Sequence, residues 1–289
     1  MHASVSVVFV LALYLSEAFC QSRIVGGKDA GTFLGRHLAQ LVISYEDADY
    51  VGLCTATVIA PRWLLTAAHC FSGPSGSTSA IPAATYAFVG ETDATLRIDN
   101  TDIEPYWAKQ IHVHKNFKPG TAGHRSDIAM VYLDRVIPPQ QLATVVLDKN
   151  LPPFGSAVMA AGYGTLGKNA AKATILMKAP VLLKPFSVCV DREHPFFRKY
   201  LKLWSHLCAV SVGWPTRGST DTCAGDSGGP LFKFDRDTRR IRQFGITSFG
   251  TSDCAEAGSV SWYTRVSTFI GDVHRNIRRN STVWNSFTS

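Results

Sequence analysis

Asp221-Thr222-Cys223-Ala224-Gly225-Asp226-Ser227-Gly228-Gly229-Pro230 decides how the rest of this 289-residue chain is read. One glycine ahead of Ser227 and two behind it allow the backbone to turn sharply and to approach another molecule closely. Such a setting suits a nucleophile. Taken alone it also suits an ordinary surface turn, which glycine and aspartate favour for their own conformational reasons. Two further segments separate the readings. Leu65-Thr66-Ala67-Ala68-His69-Cys70 places a histidine just after an apolar run, and Ser126-Asp127-Ile128-Ala129-Met130-Val131-Tyr132-Leu133 places an acid at the start of another. A serine hydroxyl is a poor nucleophile at neutral pH and needs a base within reach, for which neutral imidazole is suited.

Histidine, aspartate and serine in that chain order resemble the trypsin-like, chymotrypsin-fold serine proteases, and the resemblance runs from residue 24 to about 279. It implies His69 as the base, Asp127 as the acid that orients its ring, and Ser227 as the nucleophile. Asp93, Asp99, Asp102 and Asp134 lack the Ser-Asp-Ile-Ala match, and the alternation Ile-His-Val-His around His112 and His114 reads as one exposed face of a strand. The backbone N–H groups of Gly225 and Ser227 would form the oxyanion hole. Ser248-Phe249-Gly250 resembles the segment that pairs with substrate backbone, with Phe249 where the family usually has tryptophan. Asp221, six residues before Ser227, matches the acid at the base of a pocket for Lys or Arg. A buried carboxylate there is satisfied by an incoming cation or left desolvated.

Ser261 departs from the pattern, because trypsin-type members carry a pocket-wall glycine at that place. Its hydroxymethyl group narrows the slot or shifts the balance between Arg and Lys, unless a local shift lets Gly258 take the position. Asp253 and a longer Gly250–Asp253 loop bear on the same pocket. A second departure is the long segment between Cys189 and Cys208, whose Phe196, Phe197, Tyr200, Leu201 and Trp204 read equally as local core or as an enlarged rim of the cleft.

Short segments rich in Val, Ile, Thr and Tyr recur between turn signals. His37–Tyr45, Val51–Ile59, Trp63–Thr66, Tyr86–Gly90, Ala108–His114 and Ile128–Leu133 form one set; Ala157–Gly162, Ala173–Leu183, Leu207–Val212, Pro230–Phe234, Arg242–Phe249 and Val260–Val266 form another. This is an all-β pattern. Together with the resemblance it predicts two six-stranded antiparallel β-barrels, about 24–140 and 141–266, with the active site in the cleft between them. Phe269, Ile270, Val273 and Ile277 then keep helical spacing with Ser267 as N-cap, giving a C-terminal helix and a mobile tail over 267–289. No internal repeat is visible.

The apolar run Val5–Leu15 is too short to span a bilayer and reads, with Ala18 and Cys20, as a secretory signal peptide over residues 1–20. Its loss takes Cys20 away and turns seven cysteines into six, an even set for an oxidising compartment. The resemblance implies the pairs Cys54–Cys70, Cys189–Cys208 and Cys223–Cys254. No spacing resembles a zinc cluster, and only Glu91 matches a calcium loop, so neither metal nor cofactor is expected. Gln21-Ser22-Arg23 followed by Ile24-Val25-Gly26-Gly27 resembles an activation junction. A cut after Arg23 would free the Ile24 amine, and the acid for that ammonium would be Asp226.

The net charge of +7 collects in Arg198-Lys199-Lys202, Arg236 to Arg242 and Arg275-Arg278-Arg279, which read first as solvated faces. They lack the interleaved aromatics of a nucleic-acid site. Asn280-Ser281-Thr282 is the one glycosylation sequon. The expectation is a secreted, monomeric endopeptidase made as a zymogen. It acts on protein or peptide substrates, is open to proteinaceous inhibitors, and has no membrane span once the leader is lost. The competing expectations are a catalytically silent homologue that binds or inhibits, and an active protease whose pocket Ser261 makes unfit for basic residues.

Overall fold

The computed structural model describes residues 26–73, 79–96, 98, 102–118, 125–165, 171–216, 220–250, 254, 256–279 and 284–288. The proposed leader, Arg23, Ile24, Asp253 and Asn280 lie outside them. Six strands close the first barrel: β1 (Leu38–Tyr45), β2 (Ala48–Ala60), β3 (Trp63–Thr66), β4 (Tyr86–Val89), β5 (Tyr106–His114) and β6 (Ala129–Leu133). Six close the second: β7 (Ala157–Gly162), β8 (Met177–Lys184), β9 (His206–Ser211), β10 (Pro230–Asp235), β11 (Arg240–Gly250) and β12 (Ser261–Arg265). Every pairing within the rings is antiparallel. The first ring runs β5-β4-β1-β2-β3-β6 and closes where β6 meets β5; the second runs β8-β9-β12-β11-β10-β7 and closes where β7 meets β8. Counted from its own first strand, each ring has the order first, second, third, sixth, fifth, fourth.

The strands form because their apolar residues alternate in a way that fills a barrel interior. In β8, burial alternates strictly along Met177–Lys184, with Val181 and Leu183 turned inward to Leu207 and Leu231. The first barrel is filled by residues such as Leu41, Ile43, Val58 and Ile111, all with no exposed surface.

The two chain ends cross over. Lys28–Asp29, counted with the first barrel on sequence grounds, pairs with Lys178 and Met177 of β8 in the second. The helix α1 (Val266–Arg279), which follows the second barrel, buries Phe269, Ile270 and Val273 in the core cluster of the first. Ser267 lies inside this helix rather than capping it, and its Oγ accepts a hydrogen bond from Arg265 Nε. Within the tail, β13 (Trp284–Thr288) pairs antiparallel with His114–Gln110 of β5, extending the first ring by one strand.

That added strand corrects the reading of His112 and His114. Both are buried, at 1% and 3% exposure, because β13 and α1 cover the face that alternation alone assigns to solvent. His112 Nε2–H donates to Gln110 Oε1 at 3.1 Å, which leaves Nδ1 to accept from Ser286 Oγ at 2.7 Å. His114 packs edge-on against Phe269 and Trp284, with its Nε2 3.8 Å from Asp272 Oδ2. Burial lowers the His112 pKa to about 4 and lowers that of His114 as well, the latter against the opposing pull of Asp272.

A histidine that binds its proton more weakly folded than unfolded leaves stability intact above about pH 6.5 and removes it as the pH falls toward about 4. For His112 the loss is at most about 3 kcal/mol. Urea unfolding at pH 7 and pH 4.5 is therefore expected to show a smaller pH-dependent loss in His112→Gln than in the wild type. Equal losses would refute the assignment.

Candidate active site

His69 sits on a one-turn 3-10 segment (Ala68–Phe71) directly after β3, and Cys54–Cys70 ties that turn back to β2. Asp127 precedes β6 and has no exposed surface. Its Oδ1 accepts the His69 backbone N–H at 2.8 Å and its Oδ2 accepts the ring Nδ1–H at 2.7 Å. Ring and backbone of one residue are thus held by the two oxygens of one acid. The Asp127 backbone is fixed from the second barrel, where Thr264 Oγ donates to its carbonyl at 2.7 Å, and the preceding Ser126 adopts a left-handed φ of 56°. Ser248 Oγ also donates to Asp127 Oδ2. Ser248 therefore serves the acid directly, a contact that its reading as a substrate-pairing residue did not contain. Burial pushes the His69 pKa down, but the charge of Asp127 and the hydrogen bond to it outweigh that, and the net shift is upward from 6.5.

Ser227 arrives from the second barrel, half-buried, on a loop whose backbone needs glycine. Gly225 has a φ of 95°, and a Cβ there would meet the Gly164 Cα at 2.8 Å. Gly228 has a φ of 81°, and a Cβ there would meet Thr66 Oγ at 2.0 Å and the Thr55 carbonyl at 2.4 Å. The Ser227 carbonyl accepts from Thr55 N–H at 2.8 Å, and Thr55 Oγ donates to the Gly225 carbonyl at 3.1 Å. One first-barrel threonine thereby sets both sides of the serine. Thr55 escaped the sequence reading because nothing local marks it.

Asp226 is fully buried. Its oxygens accept Gly164 N–H at 2.9 Å and Cys223 N–H at 2.8 Å, yet burial still raises its pKa to about 7. A carboxylate in this state is disposed to take up a cation.

Asp221, Thr222, Cys223, Ala224 and Ser227 form one side of a cavity of about 150 Å3, with Thr247, Ser248, Phe249, Gly250 and Cys254 on the other. The Cys223–Cys254 disulfide joins the two sides. Asp221 is 6% exposed; its Oδ1 accepts Thr222 N–H at 2.8 Å and Ser261 Oγ–H, and its Oδ2 accepts Ser259 Oγ–H at 3.2 Å. Ser261 lies opposite Gly250 in the β11–β12 register. Gly258 turns away, with open space where its Cβ would be, so it does not take the place of Ser261. The Phe249 ring stacks on Trp262 at 6.2 Å.

A family model described as Trypsin matches residues 24–271, and so spans both barrels and every residue of this cleft. The chain belongs to the trypsin family. Serine protease 56 of Homo sapiens is 31% identical over 251 residues, covering 86% of this chain and 37% of that protein. The Mus musculus protein of the same name is 30% identical over the same shares. Suppressor of tumorigenicity 14 protein homolog of Bos taurus is 29% identical over 255 residues, 86% of this chain and 27% of that protein. The chain spans well under half the length of these relatives.

As a trypsin-family chain it carries its own variation between Cys189 and Cys208, a pair that is disulfide-bonded. Leu201 joins the core around that disulfide and Trp262, whereas Phe196 and Trp204 stay about half exposed. The guanidinium of Arg125 lies 5.1 Å from the Trp204 ring centre, a contact between the barrels. Trp262 Nε1–H donates to the buried Glu193, which sequence reading passed over. Among the described residues no helix is long and apolar enough to cross a membrane.

Proposed function

We propose that the chain is a secreted serine endopeptidase, made as a zymogen and activated by cleavage after Arg23. Ser227 Oγ attacks the carbonyl carbon of the scissile bond while His69 takes the hydroxyl proton. The N–H groups of Gly225 and Ser227 hold the resulting oxyanion. Collapse expels the amine, which leaves with the proton from His69, and water admitted to the cleft hydrolyses the acyl ester by the same relay in reverse. The observation that carries the reading is the His69 ring, held through Nδ1–H by a buried carboxylate, beside a loop that presents Ser227 between glycines in left-handed backbone. Asp221 at the cavity wall supports cleavage after Lys or Arg. Asp226, buried and with no cation among the described residues that bond it, supports the Ile24 ammonium as its partner after activation. Protein substrates, proteinaceous inhibitors and a monomeric state belong to the same proposal.

A silent binding homologue is the rival, and the presence of His69, Asp127, Ser227, Gly225 and Asp226 together weighs against it. The test is to cleave the purified chain after Arg23 and treat it with a fluorophosphonate. Covalent mass on the Ser227 peptide is expected, together with turnover of peptides carrying Lys or Arg before the scissile bond. An unlabelled Ser227 would favour the rival. Because Asp127 raises the His69 pKa, kcat/KM is expected to fall as pH drops, with the acid limb centred above pH 6.5. A limb centred below pH 6 in the pH–rate profile would argue against His69 as the base.

A further inference from the structure

We infer that a second cavity, built where the amino-terminal segment crosses onto the second barrel, binds a free single-chain amphiphile with an anionic head, of the class of medium-chain carboxylic acids. It shares no lining residue with the cavity beside Ser227, so it stands apart from the proposed chemistry. Its volume is about 490 Å3, and ligand cavities run from about 300 to 1,000 Å3.

Nine residues line it; seven are apolar and the other two are cations. Phe33 and Leu34 come from the segment after Asp29, and Phe232, Phe234 and Ile241 from β10 and β11. Leu34, Phe232 and Ile241 belong to the core. Phe33 and Phe234, whose rings meet edge-on at 5.6 Å, keep 55% and 39% of their surface exposed. An apolar chain that covers those rings and reaches the core residues below them removes apolar surface from water, and each methylene so buried raises affinity about fourfold. Because part of the apolar lining is recessed, a single chain reaches it where the flat face of a bilayer does not.

The two cations decide what else the occupant carries. No acid stands in the lining beside Lys178 and Arg239. Lys178 Nζ donates to the carbonyl of Ala30, another wall residue, at 3.1 Å; that bond draws the ammonium to the cavity and uses one of its three N–H donors. The adjoining cavity, which shares Phe234, is different: its Arg242 is already held by Asp148 and Asp235. An anionic head beside Lys178 and Arg239 gains charge-assisted hydrogen bonds, whereas a cationic head is repelled.

The test is isothermal titration calorimetry of the purified full chain with decanoate at neutral pH, below the concentration at which decanoate aggregates. One saturable site is expected, with octanoate binding about tenfold more weakly and decyltrimethylammonium not binding there. Lys178→Gln and Arg239→Asn are each expected to weaken decanoate about tenfold. Asparagine is the replacement at 239 because the residue has a left-handed φ of 55°, which asparagine tolerates. Phe33→Ala, at an exposed side chain, tests the apolar half separately and is expected to weaken decanoate and octanoate alike. A thermal melt of each variant without ligand reads its folding independently. The absence of a saturable site, equal binding of the two surfactants of opposite charge, or an affinity unmoved by both cation variants overturns the inference. Sedimentation with phosphatidylglycerol vesicles without binding of decanoate overturns it too, and marks the patch as a membrane-docking face.

Discussion

Ser227→Ala in the activated chain is expected to lower kcat on the order of a millionfold, to the residual rate that binding and the oxyanion donors provide alone. The size follows from what the hydroxyl does. Without Oγ no acyl-enzyme forms, and His69 has no positioned proton to remove. His69→Ala is expected to cost about as much, and the double variant little more than either single one, since the two groups act as a unit. Stability should move little, because Ser227 is half-buried and the structural bonds of its loop run through the backbone to Thr55. Single-turnover kinetics on a Lys ester, with a thermal melt on the same sample, reads both quantities. A variant that keeps within a hundredfold of wild-type turnover would remove Ser227 from the chemistry.

Asp221→Ser has the second largest expected effect. On the proposed basic specificity, removing the counter-charge of the pocket is expected to cost on the order of a thousandfold in kcat/KM on Lys and Arg peptides. The loss should fall on basic substrates alone. Ser227 should keep its reactivity toward fluorophosphonate, because the His69 ring is held by Asp127 through Nδ1–H. The hydroxyls of Ser259 and Ser261 lose their acceptor at once, so some loss of stability accompanies the change in specificity. Cleavage after Lys that survives the substitution would show that the cation is bound elsewhere.

The parts of the molecule that the sequence made readable are those whose signals are local. Glycines around Ser227, a histidine beside Cys70 and the Ser-Asp-Ile-Ala run each mark their own position, and alternation marks the strands. What escaped is contact made by residues far apart in the chain. His112 and His114 alternate as solvent-facing residues do; the strand that covers them lies some 170 positions later, and nothing near them announces it. Thr55 and Thr264 are ordinary strand threonines until the fold sets them against Gly225 and Asp127. Ser248 looked like a residue facing substrate and turned out to bond the acid. Ser261 was visible as a departure, but whether it blocks or bonds depends on a rotamer, which a sequence does not carry. The shared strand order of the two rings leaves no internal repeat, because a barrel asks for apolar residues of suitable volume at inward positions and not for particular ones.

The crossing of the chain ends has a consequence for how the molecule holds together. None of the three disulfides spans the connection between the rings. A nick near residue 140 would leave two fragments with no covalent tie. Neither is self-sufficient: the amino-terminal piece would lack Phe269, Ile270, Val273 and Trp284 from its interior, and the carboxy-terminal piece would carry those same side chains bare. Each half is the other's lid, so the pair melts together or not at all, and a nicked molecule should stay associated until it unfolds.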